Sequence, residues 1–465
     1  MDFLVALSAL LLLMLAAYRG YSVILFAPIA AMVAVFFTAP AQMPPMFTGL
    51  FMDRMVVFVK NFLPVFVLGS VFGKVIELSG FSKSIVASVI AIVGNRRAML
   101  SIVLVGALLT YGGVSLFVVV FAVYPFAAEM FRQGGIPKRL LPATIALGAF
   151  TFTMDAFPGT PQIQNIIPTT FFKTNIYAAP WLGTIGGLFV FGCGMFYLER
   201  QRRLASTSGE GYGIGHFNEP AALDRDNLVH PVVALAPLVV VGVMNLVFLR
   251  AITAFYGETV SFASAAAGKA EIVVQQTKTM SGIWAIEGAL IMGITTVFFF
   301  SWRALVHRFL EGSKKAIEGA LLATMNTASE YGFGAVIAAL PGFLTIMESL
   351  KKVPNVLLNE AITVTSLSGI TGSASGGLSI ALAAMAEQFC DAAKDAGIPM
   401  EVLHRVAAMA SGGMDTLPHN GAVITLLAVT GLTHKQAYRD IFIITTIKTA
   451  AVFVVIGVFY ATGLV

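Results

Sequence analysis

Charge is scarce in this 465-residue chain: Asp, Glu, Lys and Arg together make up 11% of it, against about 25% in a water-soluble domain. A surface that meets water needs more charge than that, so a soluble globular domain is excluded. Cysteine is almost absent. Cys193 and Cys390 lie in or beside apolar segments, which excludes a disulfide framework, and their spacing fits no metal motif. The surplus of 29 basic over 24 acidic residues gives a net charge of +5, but the basic residues stand singly or in pairs at the ends of apolar runs. They form no stripe or tail, which argues against a nucleic-acid partner, and they match the positive-inside rule. Neither a nucleophile–base pair nor a cofactor motif stands out, so an enzyme is not expected and no cofactor is assigned.

What is present is apolar. Hydrophobic residues are 57% of the chain and its mean hydropathy is +0.86, with runs long enough to cross about 30 Å of hydrocarbon. The expectation is an all-α polytopic membrane protein, a multi-pass resident of the bacterial inner membrane with both termini periplasmic. The first run, Phe3 to Ala17, has Asp2 before it and no Lys or Arg. It lacks the basic n-region of a cleavable signal and reads as a retained span. Span one (about 3–18) ends at Arg19, placed inside; span two (21–38) leads to the outer loop APAQMPP; span three (55–78) returns to Lys83, Arg96 and Arg97. Spans over 138–172 and 178–198 go out and back to Arg200, Arg202 and Arg203, and the stretch 199–228, containing STSGEGYGIG, reads as a flexible cytoplasmic linker. Spans 229–249 and 283–302 flank an outer segment, 251–281, and end at Arg303, His307, Arg308, Lys314 and Lys315.

An internal repeat is visible. GGVS (112–115), GIP (135–137) and MDAFP (154–158) are matched by GGLS (376–379), GIP (397–399) and MDTLP (414–418), at offsets of 264, 262 and 260 residues. Gly69 pairs with Gly334 and Asn95 with Asn359 at offsets of 265 and 264. Such self-similarity marks a duplication. An odd number of crossings between the copies inverts the second. Charge agrees: 98–131 is bracketed by Arg96, Arg97, Arg132, Lys138 and Arg139, and 361–390 by Glu360, Asp391, Asp395 and Glu401, with Lys394, Lys351 and Lys352 against the scheme. Each of these segments breaks at its centre into arms of about 13 to 17 residues, short for a crossing, and reads as a re-entrant hairpin. The predicted organisation is N-terminal scaffold spans (1–52), repeat 1 (53–198, with hairpin 98–131 and broken helix 138–172), the linker (199–228), connecting spans (229–315) and repeat 2 (316–465, with hairpin 361–390 and broken helix 402–430).

Unwound backbone at membrane depth is tolerated where protein or water satisfies it, and paired breaks across inverted repeats point to a transporter's binding site. The hairpin tips supply Tyr111, Gly112, Gly113 and Ser115, and Ser373, Ser375, Gly376 and Gly377. The Pro-containing breaks supply Asp155, Thr160 and Gln162, and Asp415, Thr416, His419 and Asn420. Helices that restart after a break aim free N–H groups into the cavity, so a small organic anion is the natural ligand. Each candidate has a second reading. Glycine-rich tips also serve helix packing; Thr160, Gln162, Gln164 and Asn165 are either ligands or partners of freed carbonyls. Ser373, Ser375 and Ser379 either line the site or bond back to their own helix. Asp155 and Asp415 either couple transport to an ion or cap broken helices. His419 suits substrate contact or proton relay. Glu330, in an apolar span, is either a coupling proton site or a structural acid bonded to Asn326 or Ser329. Lys74 and Glu77 read as an interfacial i,i+3 pair.

These residues carry a resemblance. TYGGVS, GIP, TMDAFPGTPQIQNIIPT, MNTASEYGFG and SGGMDTLPHNGAV resemble the gluconate:proton symporter (GntP) family of permeases over nearly the whole chain, weakest in the first 50 residues and in 251–281. The resemblance implies the fold of the ion-transporter superfamily, a scaffold plus an elevator-type transport domain, a homodimer, and proton symport of a small carboxylate. Gluconate permeases carry a PPHPGP-type first break; here it reads DAFPGTPQ without histidine, which shifts the expected substrate from gluconate toward a short hydroxy- or keto-monocarboxylate, such as the 3-hydroxybutyrate that other permeases of this type carry. Glu330, Asp155, Asp415 and His419 are then the proton-coupling candidates. Sodium coupling is the alternative within transport, and a membrane-embedded enzyme or passive anion channel the alternatives outside it.

Overall fold

The computed structural model describes residues 2–19, 21–94, 97–114, 116–220, 228–266, 269–341, 353, 355–418 and 420–465. The candidates Ser115 and His419, with Asn95, Arg96, Lys351 and Lys352 of the repeat and charge arguments, lie outside those residues. The chain is mostly helical. In order come α1 (Asp2–Tyr18), α2 (Val23–Thr38), a short 3-10, α and π-helical run over 40–51 continuing into α3 (Met52–Leu78), and α4 (Phe81–Val93). Next are α5 (Ala98–Tyr111), α6 (Leu116–Gln133), α7 (Leu140–Ala149), the single turn α8 (Phe152–Asp155), α9 (Ile163–Phe172) and α10 (Pro180–Thr207). Then follow α11 (Pro231–Tyr256), an antiparallel hairpin of β1 (Thr259–Ala266) and β2 (Lys269–Gln276), α12 (Thr277–Leu305) and α13 (Phe309–Ala339). The chain ends with α14 (Val356–Thr371), α15 (Ala374–Asp395), α16 (Met400–Ser411), α17 (Gly421–Thr430) and α18 (His434–Thr462).

Among the described residues, five helical stretches are long and apolar enough to cross a membrane: Pro40–Leu78, Pro180–Thr207, Pro231–Tyr256, Met280–Leu305 and His434–Thr462. The remaining apolar helices are short because glycine and proline interrupt them. The succession of two helices, a half-helix, a break, a second half-helix and a long closing helix occurs twice, over α5 to α10 and over α14 to α18. The halves are interleaved. α9 packs on α15 and α16, while α17 packs on α6 and α18 on both α7 and α10. α10 comes close because it presents a glycine face: a methyl at Gly183 would overlap the Ala156 carbonyl, and one at Gly187 would overlap Phe157.

Several expectations change. The segment between span three and the first hairpin folds as α4, since Phe81, Ile85 and Val86 give it a buried face despite Lys83. The 251–281 segment contains the β hairpin, whose Val- and Thr-bearing strands suit extended backbone. The arm α15 has 22 residues and not 13 to 17, because it continues past its apolar run to an exposed Asp391–Lys394 pair. Glu360, assigned to an acidic outer bracket, is fully buried. The boundary drawn at 315/316 falls inside α13, and the one at 198/199 inside α10.

The linker is also tighter than a Gly/Ser segment suggests. Glu219 accepts from Lys138 at 2.7 Å and bonds Arg132 and Tyr212. Glu210 takes both Nε and Nη2 of Arg139, whose Nη1 reaches Asp440 on α18 at 3.0 Å. Asn218 donates to the Val429 carbonyl at the end of α17. Residues 208–219 thus pin the start of α7 to the second half. The Arg139 hydrogen bonds hold the Glu210 carboxyl below its ordinary value.

Candidate functional site

In each half, an amide side chain at the start of the restarting half-helix grips the adjacent hairpin tip. Gln162, the residue before α9, donates to the Thr110 carbonyl at 2.7 Å and to Val114 O at 3.3 Å. Asn420, the residue before α17, donates to the Gly372 carbonyl at 2.8 Å while its Oδ1 caps the helix through Val423 N. The tips can turn because Gly113 (φ +89°) and Gly372 (φ +64°) take left-handed backbone. Tyr111 Oη donates to Pro158 O at 2.8 Å, a further tie between tip and break. Leu238 of α11 backs Gly112.

The freed carbonyls of the first break are satisfied from within. Thr160 donates to Thr153 O at 2.7 Å, and Asn165 Nδ2 to Thr160 O and Ile176 O. The Asn165 Oδ1 faces α16, where His404 Nε2 lies 3.1 Å away and Arg405 donates at 3.0 Å. His404 Nδ1 also meets the Thr174 hydroxyl at 2.6 Å. Arg405 is fully buried, and its remaining N–H groups donate to the carbonyls of Asp155, Ile176 and Ala178. Among the described residues this guanidinium has no carboxylate partner and is held by backbone dipoles of the opposite half.

Asp155 and Asp415 converge on Lys448 of α18. The ammonium lies 3.0 Å from Asp415 Oδ1 and 3.6 Å from Asp155 Oδ2, and donates to Phe150 O at 2.6 Å. All three side chains are buried. The cap of α17 is Asn420, and the two aspartates face the lysine. In the second break the Thr416 hydroxyl meets that of Thr445, and Tyr438 donates to Thr416 O at 3.2 Å.

Glu330 takes a different position. It lies on α13 against the first turn of α15, where a methyl at Gly376 would overlap its carboxyl group. Ser373 caps that turn by accepting from Gly376 N at 3.0 Å, and Ser375 Oγ lies 3.4 Å from Thr327 Oγ1. Ser329 bonds Met325 O instead of Glu330, and among the described residues no hydrogen bond joins Asn326 or Ser329 to the Glu330 Oε2. Glu330 Oε2, Ser368 Oγ, Ser379 Oγ and Gln164 Oε1 are likewise buried without a hydrogen-bond partner there. Their helices α9, α13 and α14 all pack on α15, which carries Ser379, and Gly377 lets Ser368 approach. Buried polar groups are normally satisfied by a partner.

Two cavities lie nearby. One of about 220 Å³ is bounded by Asn61, Thr170, Phe171 and Tyr331, the neighbour of Glu330; the other, about 500 Å³, is bounded by Lys173, Asn175, Arg250 and Glu401. The expected Lys74–Glu77 pair is present at 2.8 Å. Arg405 and Lys448 were not among the sequence-derived candidates. Each is a lone cation in an apolar stretch, and treating intramembrane ionisable residues as functional by default applies to bases as well as to acids.

A helical membrane chain with interrupted helices interlocked across two halves defines a membrane transporter, and comparison with known proteins agrees. The chain is 54% identical over 474 aligned residues, spanning all of both proteins, to the uncharacterized transporter YxjC of Bacillus subtilis (strain 168). It belongs to that transporter's family. No protein-family model matches the sequence. Its fold is similar to the YdaH transporter of Alcanivorax borkumensis (TM-score 0.58, 14% identity, 89% of this chain and 88% of that one). It is also similar to Neisseria gonorrhoeae MtrF, described among antimetabolite efflux pumps (TM-score 0.51, 14% identity, 88% and 83%).

Proposed function

We propose that this protein is a proton-coupled importer of a small organic monocarboxylate, a short hydroxy acid such as 3-hydroxybutyrate or a gluconate-type sugar acid, and that Glu330 carries the coupled proton. The observation behind this reading is the buried Glu330 carboxyl, one oxygen unpartnered among the described residues, against the first turn of α15. Beyond the Gly376 N–H taken by Ser373, that turn offers its first N–H groups and the positive end of a helix dipole. An ionised Glu330 competes for this end and repels an incoming carboxylate, by about 4 kcal/mol for unit charges 4 Å apart at an effective dielectric constant of 20. With Glu330 protonated, the substrate carboxylate takes its place. Anion and proton therefore bind together, which is the requirement for symport.

The matching braces at Gln162 and Asn420 support two hairpin–break units built alike, and the residue pattern resembles gluconate:proton symporters. On this reading the repeats are inverted, the hairpins are re-entrant, and the hairpins with their breaks move as an elevator within a homodimer in the inner membrane. Reconstituted protein tests it. An inward proton gradient without sodium is expected to drive accumulation, and Glu330→Gln, which mimics the neutral acid, is expected to exchange substrate without concentrating it. Accumulation by that variant at the wild-type level rejects Glu330 as the proton site.

A further inference from the structure

The environment of Lys448 goes beyond the transport reading and holds whichever carboxylate is carried. Its ammonium is 2% exposed and in contact with three oxygens: Phe150 O, Asp155 Oδ2 and Asp415 Oδ1. Two of these come from the first break and one from the second. Two carboxylates plus a carbonyl released by unwound backbone are hard oxygen donors, the chemistry that binds small hard cations. Asp155 Oδ2 accepts no hydrogen bond from the described residues, and Gly412 leaves room for it, since a methyl there would overlap the Asp155 carboxyl and the lysine stem. Arg405, the other buried cation nearby, is spent on carbonyls and Asn165 and makes no ion pair with either aspartate.

We infer that Lys448 is a tethered cation: it permanently fills the position between the two breaks that a free monovalent cation would otherwise occupy, and it joins the breaks into one body. Without the ammonium, two carboxylates face each other in a region of low dielectric constant, an arrangement that demands a positive partner. The site is thus latent for sodium and closed to it in the native chain.

Thermal melting of the purified full-length protein in detergent tests this, in sodium chloride and in choline chloride at equal ionic strength. Wild type is expected to melt at the same temperature in both salts. Lys448→Ala is expected to melt several degrees lower in choline, and to recover saturably as sodium replaces choline. Indifference of Lys448→Ala to the cation, or an equal sodium response in wild type, overturns the inference. If Lys448→Ala does not fold, the double variant Lys448→Ala with Asp155→Asn decides. Removing one carboxylate is expected to restore a folded protein that ignores sodium, and a double variant no more stable than the single one overturns the inference as well.

Discussion

Arg405 of α16 and Asn165 of α9 meet at 3.0 Å across 240 residues of sequence. Through that contact and its bonds to Asp155 O, Ile176 O and Ala178 O, one buried guanidinium closes the first break from the second half. Leucine at 405 would strip several buried acceptors of their donor at about 1–3 kcal/mol each. The expected loss exceeds about 4 kcal/mol, in the range reserved for broken buried networks. Lysine should recover only part of it, having no fork with which to span the carbonyls. Unfolding in detergent, with both variants beside wild type, measures this.

The contact between Gly376 and Glu330 leaves no room for a side chain. Gly376→Ala is expected to abolish concentrative uptake while the protein still folds and reaches the membrane. At Gly319 an added methyl would meet nothing within 4 Å among the described residues, and Gly319→Ala should transport normally. Equal activity of the two variants would remove Gly376 from the site.

The amide braces make a paired prediction. Asn420→Ala should destabilise by about 1–3 kcal/mol, the cost of leaving the Gly372 carbonyl unpaired, and Gln162→Ala by only about 1 kcal/mol, because Thr110 O keeps its bond from Gly113 N. Asn420→Ala should cost more, because it also removes the cap of α17, worth about 1 kcal/mol. Paired melting curves in one detergent give the comparison.

The clasp between Arg139 and Glu210 carries a pH dependence. The Glu210 carboxyl is held below its ordinary value of 4.5 by the Arg139 hydrogen bonds. Its contribution is therefore complete above that value and is lost as pH falls through the lowered one. Glu210→Gln should lose that contribution at neutral pH, under about 1 kcal/mol for so exposed a pair, and flatten the acid-side decline below about pH 5. An unaltered acid limb would contradict the clasp.

Much of this was legible in short strings. GGVS with GGLS and MDAFP with MDTLP fall at both tips and both breaks, where glycine and proline cluster with polar residues; single prolines such as Pro64 and Pro237 stay inside α3 and α11. Element type followed from apolar length, so α1, α2, α11 and α12 fall within a few residues of expectation, apart from the later end of α11 at Tyr256 and the earlier start of α12 at Thr277. Partnership was not legible. Whether Gln162 faces a ligand or a carbonyl depends on where Thr110 ends, and Asp155 meets Asp415 only through a lysine 33 residues beyond the latter. The helix α4 was hidden by Lys83, read as a loop marker although its neighbours are buried. Glu360 bore the charge of a boundary residue and yet lies in the interior, where nothing in local sequence signals burial.

On the proposed reading, Glu330 binds a proton together with the substrate carboxylate. Uptake of a short labelled hydroxy acid into sodium-free proteoliposomes, acidic outside and neutral inside, tests it most directly. Expected are accumulation above the outside concentration, collapse on adding a protonophore, and no accumulation by Glu330→Gln. Uptake driven by a sodium gradient at constant pH, with no response to the proton gradient, would contradict it.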